Sequence, residues 1–420
     1  MIGEIIAIGD ELTSGKILNL TSKFAAHHLF AMGHEIVAMS TIGDSPELIG
    51  AALKKAIGRA DFVITTGGLG PTSDDLTNEA VSNALNRPAI FHPEILEKIT
   101  RFLAQNKNNL SPDVTLEKLA WLPAGAEVLK PEGTMAGYLL IHDKKPIFLL
   151  PGVPDEMREL LVDCVLPKLR QLQGGEERHV RQRLYRVFGL SETEINQQLK
   201  DLENDNSLIR LGYYPVFPEV HVSLIALGTD SAETKTLFDI FGSKIEKRLG
   251  DTIYGYDEET LAQKVGSLLL EQSYSIAVAE SCTGGLISHL ITAVPGSSAY
   301  FPGGVTAYSN QLKIDVLGVA SATLEKGGAV CAETAIEMAQ GVRKLSGADV
   351  GLSVTGIAGP TGGTKEKPVG TVYIGLDFRG ACTSHLFTLP GERHSVQTRV
   401  AFTALDLVRR KLLEEKGALG

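Results

Sequence analysis

Two adjacent nucleophilic side chains, Ser281 and Cys282, stand in the stretch "AESCTGG" (279–285), with a threonine and two glycines directly behind them. A serine there needs a strong base, and a cysteine needs a histidine or a depressed pKa. "SIAVAE" (275–280) reads as a buried strand, so Ser281 stands at a strand end. Thr283, Gly284 and Gly285 are expected to begin the next helix, whose free N–H groups can stabilise an oxyanion or bind a phosphate. "AYSNQLK" (307–313) ends a second strand and supplies Tyr308, Asn310 and Lys313. The i,i+3 spacing of Asn310 and Lys313 predicts one shared helical face. A lysine of lowered pKa can act as base for a serine. Taken singly, each feature has a plainer explanation: a capped helix packed through glycines, or a solvated lysine.

A third set lies in "SVTGIAGPTGGTKEKPVGTV" (353–372), a long glycine loop rich in hydroxyls and carrying Lys365 and Lys367. Such a loop costs conformational entropy unless something orders it. Arg393, in "PGERHS", opens the last predicted helix and could hold a phosphate.

The first part of the chain offers different chemistry. "GDELTSG" (9–15) and "TTGGLGPTSDD" (65–75) both follow buried strands. Gly9, Gly67, Gly68 and Gly70 permit close backbone approach, so successive N–H groups near Thr72 can cradle a phosphate or pyrophosphate. Asp10 and Glu11 beside Asp74 and Asp75 would form an acidic cluster suited to a divalent cation, with Asp10 and Asp75 as its candidate ligands. Neither loop is followed by the Gly-Lys-Ser/Thr of a Walker motif.

These residues need elements to hold them. Alternating strand and helix patterns over 1–170 predict a doubly wound, mostly parallel α/β sheet, whose ligands gather at the carboxyl ends of the strands. "QLQGGEE" (171–177) reads as a linker into a small α+β segment, 171–255. "YGYDEE" (254–259) reads as the link into a C-terminal α/β domain, 256–420, with a mixed sheet. The single Trp121 and the scattered aromatics are expected in the core, forming no stacking platform for bases.

Composition narrows the classes. The 420 residues are 43% hydrophobic and 21% charged, with a formal net charge of −10 and no dense basic run, which disfavours direct nucleic-acid binding. Four scattered cysteines fit a reducing cytosol and no zinc site. The opening "MIGEIIAIGDE" has no signal-peptide pattern and no apolar run approaches membrane-spanning length, so a cytoplasmic protein without membrane partners is expected.

Taken together, "IGDEL", "TTGGLGPTSDDLT", "PGVPDEM", "AESCTGG", "AYSN..K", "TGIAGP" and "KPVGTV" resemble the competence/damage-inducible CinA family over essentially the whole chain. The resemblance implies a molybdopterin-binding-type N-terminal domain with metal-dependent ADP-ribose pyrophosphatase activity. It also implies a C-terminal domain that deamidates nicotinamide mononucleotide (NMN) without a cofactor. On that basis Ser281 is the nucleophile, activated by Lys313 and Tyr308. Thr283, Gly284, Gly285, Asn310, Thr355, Gly356 and Arg393 meet the substrate. A homodimer is expected. Competing readings are a silent nucleotide-binding N-terminal domain, or a non-catalytic partner of the competence or recombination machinery. Three positions depart from the family pattern: Thr21 for Asn, Cys331 for Ser and Gln397 for Arg.

Overall fold

The computed structural model describes residues 1–105, 116–130, 137–173, 178–203 and 205–418. These divide into two compact units. The first comprises Met1–Arg181 with Ala226–Thr236, and the second Gln182–Ile225 with Leu237–Gly420. Of the expected linker 171–177, positions 174–177 lie outside the described residues.

The first unit holds a six-stranded sheet in the order Glu35–Ile42, Ile2–Ile8, Phe62–Thr66, Lys145–Leu150, Tyr138–His142, Glu127–Val128. The first four strands run parallel and the last two pairings are antiparallel. Ile5, Ile6, Ala7, Ile8, Phe62, Val63 and Ile64 are all buried, as a parallel sheet covered on both faces requires. Glu4, buried within that run, is satisfied by a two-pronged pairing with Arg59, at 2.6 Å to Nε and 2.7 Å to Nη2. Chain order reverses at Ile2–Ile8, which has the second and third strands on opposite sides. A crevice at the strand ends is expected at such a switch point.

A four-stranded sheet follows, in the order Ile209–Val216, Glu219–Gly228, His179–Val187, Ile253–Tyr256. The stretch read as a link at 254–259 therefore begins as an edge strand, antiparallel to His179–Val187. Four residues are too short a run to register as a strand.

The C-terminal sheet has five strands, Gly303–Thr306, Ile276–Glu280, Val350–Gly356, Thr371–Phe378 and Ala381–Thr388. The first three are parallel and the last two pairings antiparallel, the mixed sheet expected. Alternate residues of Ile276–Glu280 serve two cores. Ile276 and Val278 pack with Val396, Val400, Ala404, Val408 and Leu412, a four-residue ladder along the helix Arg393–Ala418. Ala277 and Ala279 pack with Met338 and Val342 of the helix Ala332–Ser346. That second helix lies very close to the sheet. A Cβ on Gly375 would stand 2.3 Å from the Ala335 carbonyl oxygen, and Ser353, opposite Gly375 in register, donates its hydroxyl to the same oxygen at 2.5 Å.

Gly375→Ala should therefore push the helix off the strands that carry the chemistry, at a cost of about 1–3 kcal/mol. A denaturant midpoint unchanged from the parent protein would show that the helix can shift freely.

Candidate active sites

In the C-terminal unit, Ser281 follows the fully buried strand Ile276–Glu280, and its amide donates to Val354 O on the neighbouring strand at 3.0 Å. Lys313 sits on the short helix Asn310–Asp315, whose start is capped by the Ser309 hydroxyl accepting from the Leu312 amide. Its side chain runs inward, and Nζ reaches Ser281 Oγ at 3.0 Å and Ala307 O at 2.6 Å. Lys313 is 1% exposed and makes no salt bridge among the described residues. Burial lowers its pKa from the ordinary lysine value. The shared face expected for Asn310 and Lys313 does not form. Asn310, in the first turn, is exposed, whereas the long lysine side chain folds back toward the strand end.

Cys282 is buried, and burial pushes its thiol up to about 12. It is a packed residue of the core beneath the loop. Thr283 is also buried, and its hydroxyl has no hydrogen-bond partner among the described residues.

The helix expected to begin at Thr283 starts later, at Leu286 with Gly285 as its cap. The reason is Glu280. Its buried carboxylate accepts the amides of Gly285 and Ile287, both at 3.0 Å, and both the amide and hydroxyl of Ser288, at 2.8 and 2.7 Å. The helix N-terminus is thus already occupied by a carboxylate. The Gly284 amide turns back to Ser281 O. Among the described residues the amides of Cys282 and Thr283 have no hydrogen-bond acceptor, so they are the donors beside Ser281 that remain for an oxyanion.

Tyr308 is 61% exposed. Its hydroxyl accepts from Arg393 Nη2 at 2.9 Å and has no hydrogen bond to Ser281 or Lys313. Arg393 also donates to Gly359 O at 2.8 Å, which ties the glycine loop to the start of the last helix. The Thr355 hydroxyl donates to Ala329 O at 2.6 Å, and Gly356 ends its strand against Val372. Lys367 fastens the loop by donating to Gly327 O and Val330 O, at 2.9 and 2.7 Å. Gln397, at a position of departure from the family pattern, donates to Cys282 O at 2.8 Å and braces the nucleophile loop. Cys331, the other departure in this unit, caps the helix Ala332–Ser346 by accepting from the Thr334 amide at 3.4 Å, as a serine would. Glu280 was missed in the sequence, although a lone carboxylate closing an apolar strand was a usable signal.

In the first unit a cavity of about 290 Å³ opens at the ends of three parallel strands. It is lined by Gly9, Glu11, Asp44, Gly67, Gly68, Gly70, Asp74, Asp75 and Gly152 among others. Gly67 has a φ of 105°, and a Cβ there would stand 2.1 Å from Ile8 O, so only glycine fits this approach. Asp10 does not line the cavity. It trades hydrogen bonds with Asp44: the Asp10 amide donates to Asp44 Oδ2 at 2.8 Å, and the Asp44 amide to Asp10 Oδ1 at 3.1 Å. Asp44 was missed because nothing in its local sequence marks it. Burial raises its carboxyl above the ordinary range, the Asp10 amide works against this, and the charges of Asp10, Glu11 and Asp74 raise it further. Asp74 is held low, first by the Thr72 hydroxyl. Asp75 accepts the Thr72 amide at 2.9 Å and also its hydroxyl, which shapes the loop instead of capping the helix Thr77–Ala84.

Among the described residues no group of three or more His, Cys, Asp or Glu side chains is placed to hold a metal. An all-protein metal cage is therefore not a fit. The donor set does fit a hard cation that takes one or two carboxylates and completes its shell with phosphate oxygens and water. Thr21, where the family carries Asn, is buried and hydrogen-bonds Thr66, the residue before Gly67, at 3.1 Å. Trp121, expected in the core, is 46% exposed.

Three family models match the chain: "CinA C-terminal domain" over residues 258–412, "Probable molybdopterin binding domain" over 4–171 and "Damage-inducible protein CinA KH domain" over 182–255. Among curated proteins, the chain is 52% identical to a CinA-like protein of Desulfotalea psychrophila, over 98% of this chain and 99% of that one. It is 40% identical to a CinA-like protein of Desulfosudis oleivorans, over 98% and 100%. It is 36% identical to a CinA-like protein of Geotalea uraniireducens, over 98% of each.

The buried, high-pKa thiol gives a direct expectation. Brief alkylation of the native protein at neutral pH should leave Cys282 unmodified, with labelling there only after unfolding, as read by peptide mass mapping. Rapid native labelling of Cys282 would mean that it carries a thiolate and competes with Ser281.

Proposed function

This chain belongs to the CinA family, and from that premise we propose that its C-terminal unit hydrolyses the carboxamide of NMN to the carboxylate, releasing ammonia. The observation that carries this reading is Lys313 Nζ at 3.0 Å from Ser281 Oγ, both groups buried. A neutral Lys313 accepts the Ser281 proton as Oγ attacks the amide carbon. The developing oxyanion is met by the free amides of Cys282 and Thr283. Lys313 then returns its proton to the departing nitrogen, and ammonia leaves an acyl-serine. Lys313 next takes a proton from water, whose oxygen attacks the ester carbonyl and frees the acid and Ser281. Ala307 O holds the amine in place throughout. Arg393, steadied by Tyr308 and Gly359 O, is the cation for the NMN phosphate.

For the N-terminal unit the proposal is pyrophosphate hydrolysis on ADP-ribose at the glycine-lined cavity. The backbone at Gly67 to Gly70 binds the phosphates. One or two of Glu11, Asp44, Asp74 and Asp75 would hold a divalent cation, which when bound supplies charge neutralisation at the pyrophosphate. Asp75 stays in that set, while Asp10 orients Asp44.

Two measurements test these assignments on the purified chain. Ser281→Ala and Lys313→Arg should each lower NMN deamidation by at least about 10²–10⁴-fold, because a guanidinium cannot deprotonate to act as base. In the parent protein kcat/KM should rise with pH as the lysine loses its proton, and should level off below an ordinary lysine value of about 10.4. Retained activity in Lys313→Arg would remove the lysine as base.

Chelation should separate the two halves. EDTA should abolish ADP-ribose hydrolysis and leave deamidation intact, since no metal-ligand group surrounds Ser281 among the described residues. Equal loss of both activities would overturn the division.

A further inference from the structure

A backbone amide is one end of a rigid, planar unit whose other end is the preceding residue's carbonyl. The two amides left free beside Ser281, those of Cys282 and Thr283, therefore belong to the units that carry Ser281 O and Cys282 O. Among the described residues only Phe217–Pro218 and Gly359–Pro360 are cis. In both units near Ser281 the N–H thus points away from its carbonyl. Whatever holds the two carbonyls fixes where the two amides aim.

Ser281 O is held locally. It accepts from the Gly284 amide at 3.2 Å, across a tight turn that Gly284 makes with a φ of 66°. Cys282 O is held from far along the chain, by Gln397 Nε2 at 2.8 Å, and among the described residues no other donor reaches it. A Cβ on Gly284 would meet the same nitrogen at 4.0 Å, so the carboxamide lies close over the turn. Gln397 is set on the helix Arg393–Ala418, where Val396 and Val400 on either side of it are fully buried in the core. Its backbone cannot drift without moving that core. The far end of the loop is gripped separately, by Glu280 through the amides of Gly285 and Ile287.

We infer that Gln397 is a positioning residue for the oxyanion site: by donating to Cys282 O it aims the Thr283 amide and polarises it toward a developing negative charge. The inference rests on the reading of Ser281 as a nucleophile, and not on NMN being its substrate. A donor on a peptide carbonyl draws charge through that unit and strengthens the bond its N–H can give, by about 10–30%. The benefit is felt where charge develops, so it belongs to the reacting step more than to substrate binding. Gln397 is not bonded to Lys313, whose amine meets Ser281 Oγ and Ala307 O. Arginine, which the family pattern carries at this position, also offers N–H donors.

Two reactions of the full-length protein test this: NMN deamidation, and phosphorylation of Ser281 by diisopropyl fluorophosphate followed by mass spectrometry. In the second, the Oγ–phosphorus bond forms as the P–F bond breaks, fluoride leaves and the Oγ proton passes to Lys313. The phosphoryl oxygen there takes the place of the amide oxygen. Gln397→Met keeps the side-chain length and removes the donor. It should lower kcat by about ten- to a hundredfold, less than the about 10²–10³-fold that follows from deleting an oxyanion donor. KM should change by less than about twofold, and labelling of Ser281 should slow by a factor similar to that in kcat. The pH midpoint of kcat/KM should stay at the parent value. Gln397→Glu, which keeps the shape but cannot donate when ionised, should behave like Gln397→Met, and Gln397→Arg should recover most of both rates. Parent rates in a folded Gln397→Met or Gln397→Glu, a raised KM with kcat intact, a shifted pH midpoint, or no recovery in Gln397→Arg would each overturn the inference. A Ser281 that resists the reagent in the parent protein would overturn it as well. Should the parent be labelled at Ser281 yet leave NMN intact, the NMN reading falls, and slower labelling of Gln397→Met still upholds the positioning role.

Discussion

Holding a lysine amine in the interior, against a serine hydroxyl and a carbonyl with no carboxylate bonded to it, is the constraint on which the C-terminal unit depends. A buried ammonium without a counter-ion is costly, so burial lowers the lysine's pKa and makes the amine easier to deprotonate. The state that is cheapest to bury is also the state that can take a proton from Ser281. A carboxylate on Lys313 would favour the ammonium and work against the proposed role as base. The carboxylate closest in sequence to the nucleophile, Glu280, is turned instead onto the amides of Gly285, Ile287 and Ser288. Its charge is thereby matched by a helix end, away from the amine. The carboxylate and the amine that flank Ser281 are thus each given a different backbone partner.

The first unit meets a related demand with other means. Four carboxylates stand at the mouth of its glycine-lined cavity, and their repulsion is moderated by local hydrogen bonds from Thr72 and from the Asp10 amide. In both units the chemistry sits beyond the carboxyl ends of parallel strands, where the sheet leaves backbone groups free of the ladder. The units differ in what they ask of those groups. On the proposed reading, one offers glycine backbone to phosphates, and the other offers two amides to a single oxygen.

Much of this could be read before any coordinates. The buried strands at 2–8, 62–66 and 276–280 announce themselves as apolar runs, and the glycine loops that follow them mark the strand ends. Ser281 and Lys313 could be paired because each stands just past such an end. Other parts were not legible because they depend on contacts distant in sequence. Asp44 becomes part of a site only when two strand ends meet. Asn310 and Lys313 obey helical spacing, yet one is in solvent and the other in the core, because a six-residue helix allows the longer side chain to turn back under it. Tyr308 lies just past the strand Gly303–Thr306 but is half exposed and bonded to Arg393, 85 residues further on. Trp121 was expected in the core, but nothing in its local sequence shows that its strand pairs only with Ala89–Phe91 and leaves the ring half exposed.

The Arg393 and Gln397 contacts carry a further consequence for how the chain matures. Gln397 reaches back 115 residues to Cys282 O, and Arg393 reaches back to Tyr308 and Gly359. During synthesis, Ser281, Lys313 and the three parallel strands emerge first and can pair before these two residues exist. The proposed nucleophile and base thus precede in the chain the contacts that brace their loops, which arrive with the helix beginning at Arg393. On the proposed reading, a nascent chain carries Ser281 and Lys313 without Arg393 and Gln397, and competence for turnover waits until that helix docks along the ladder from Val396 to Leu412.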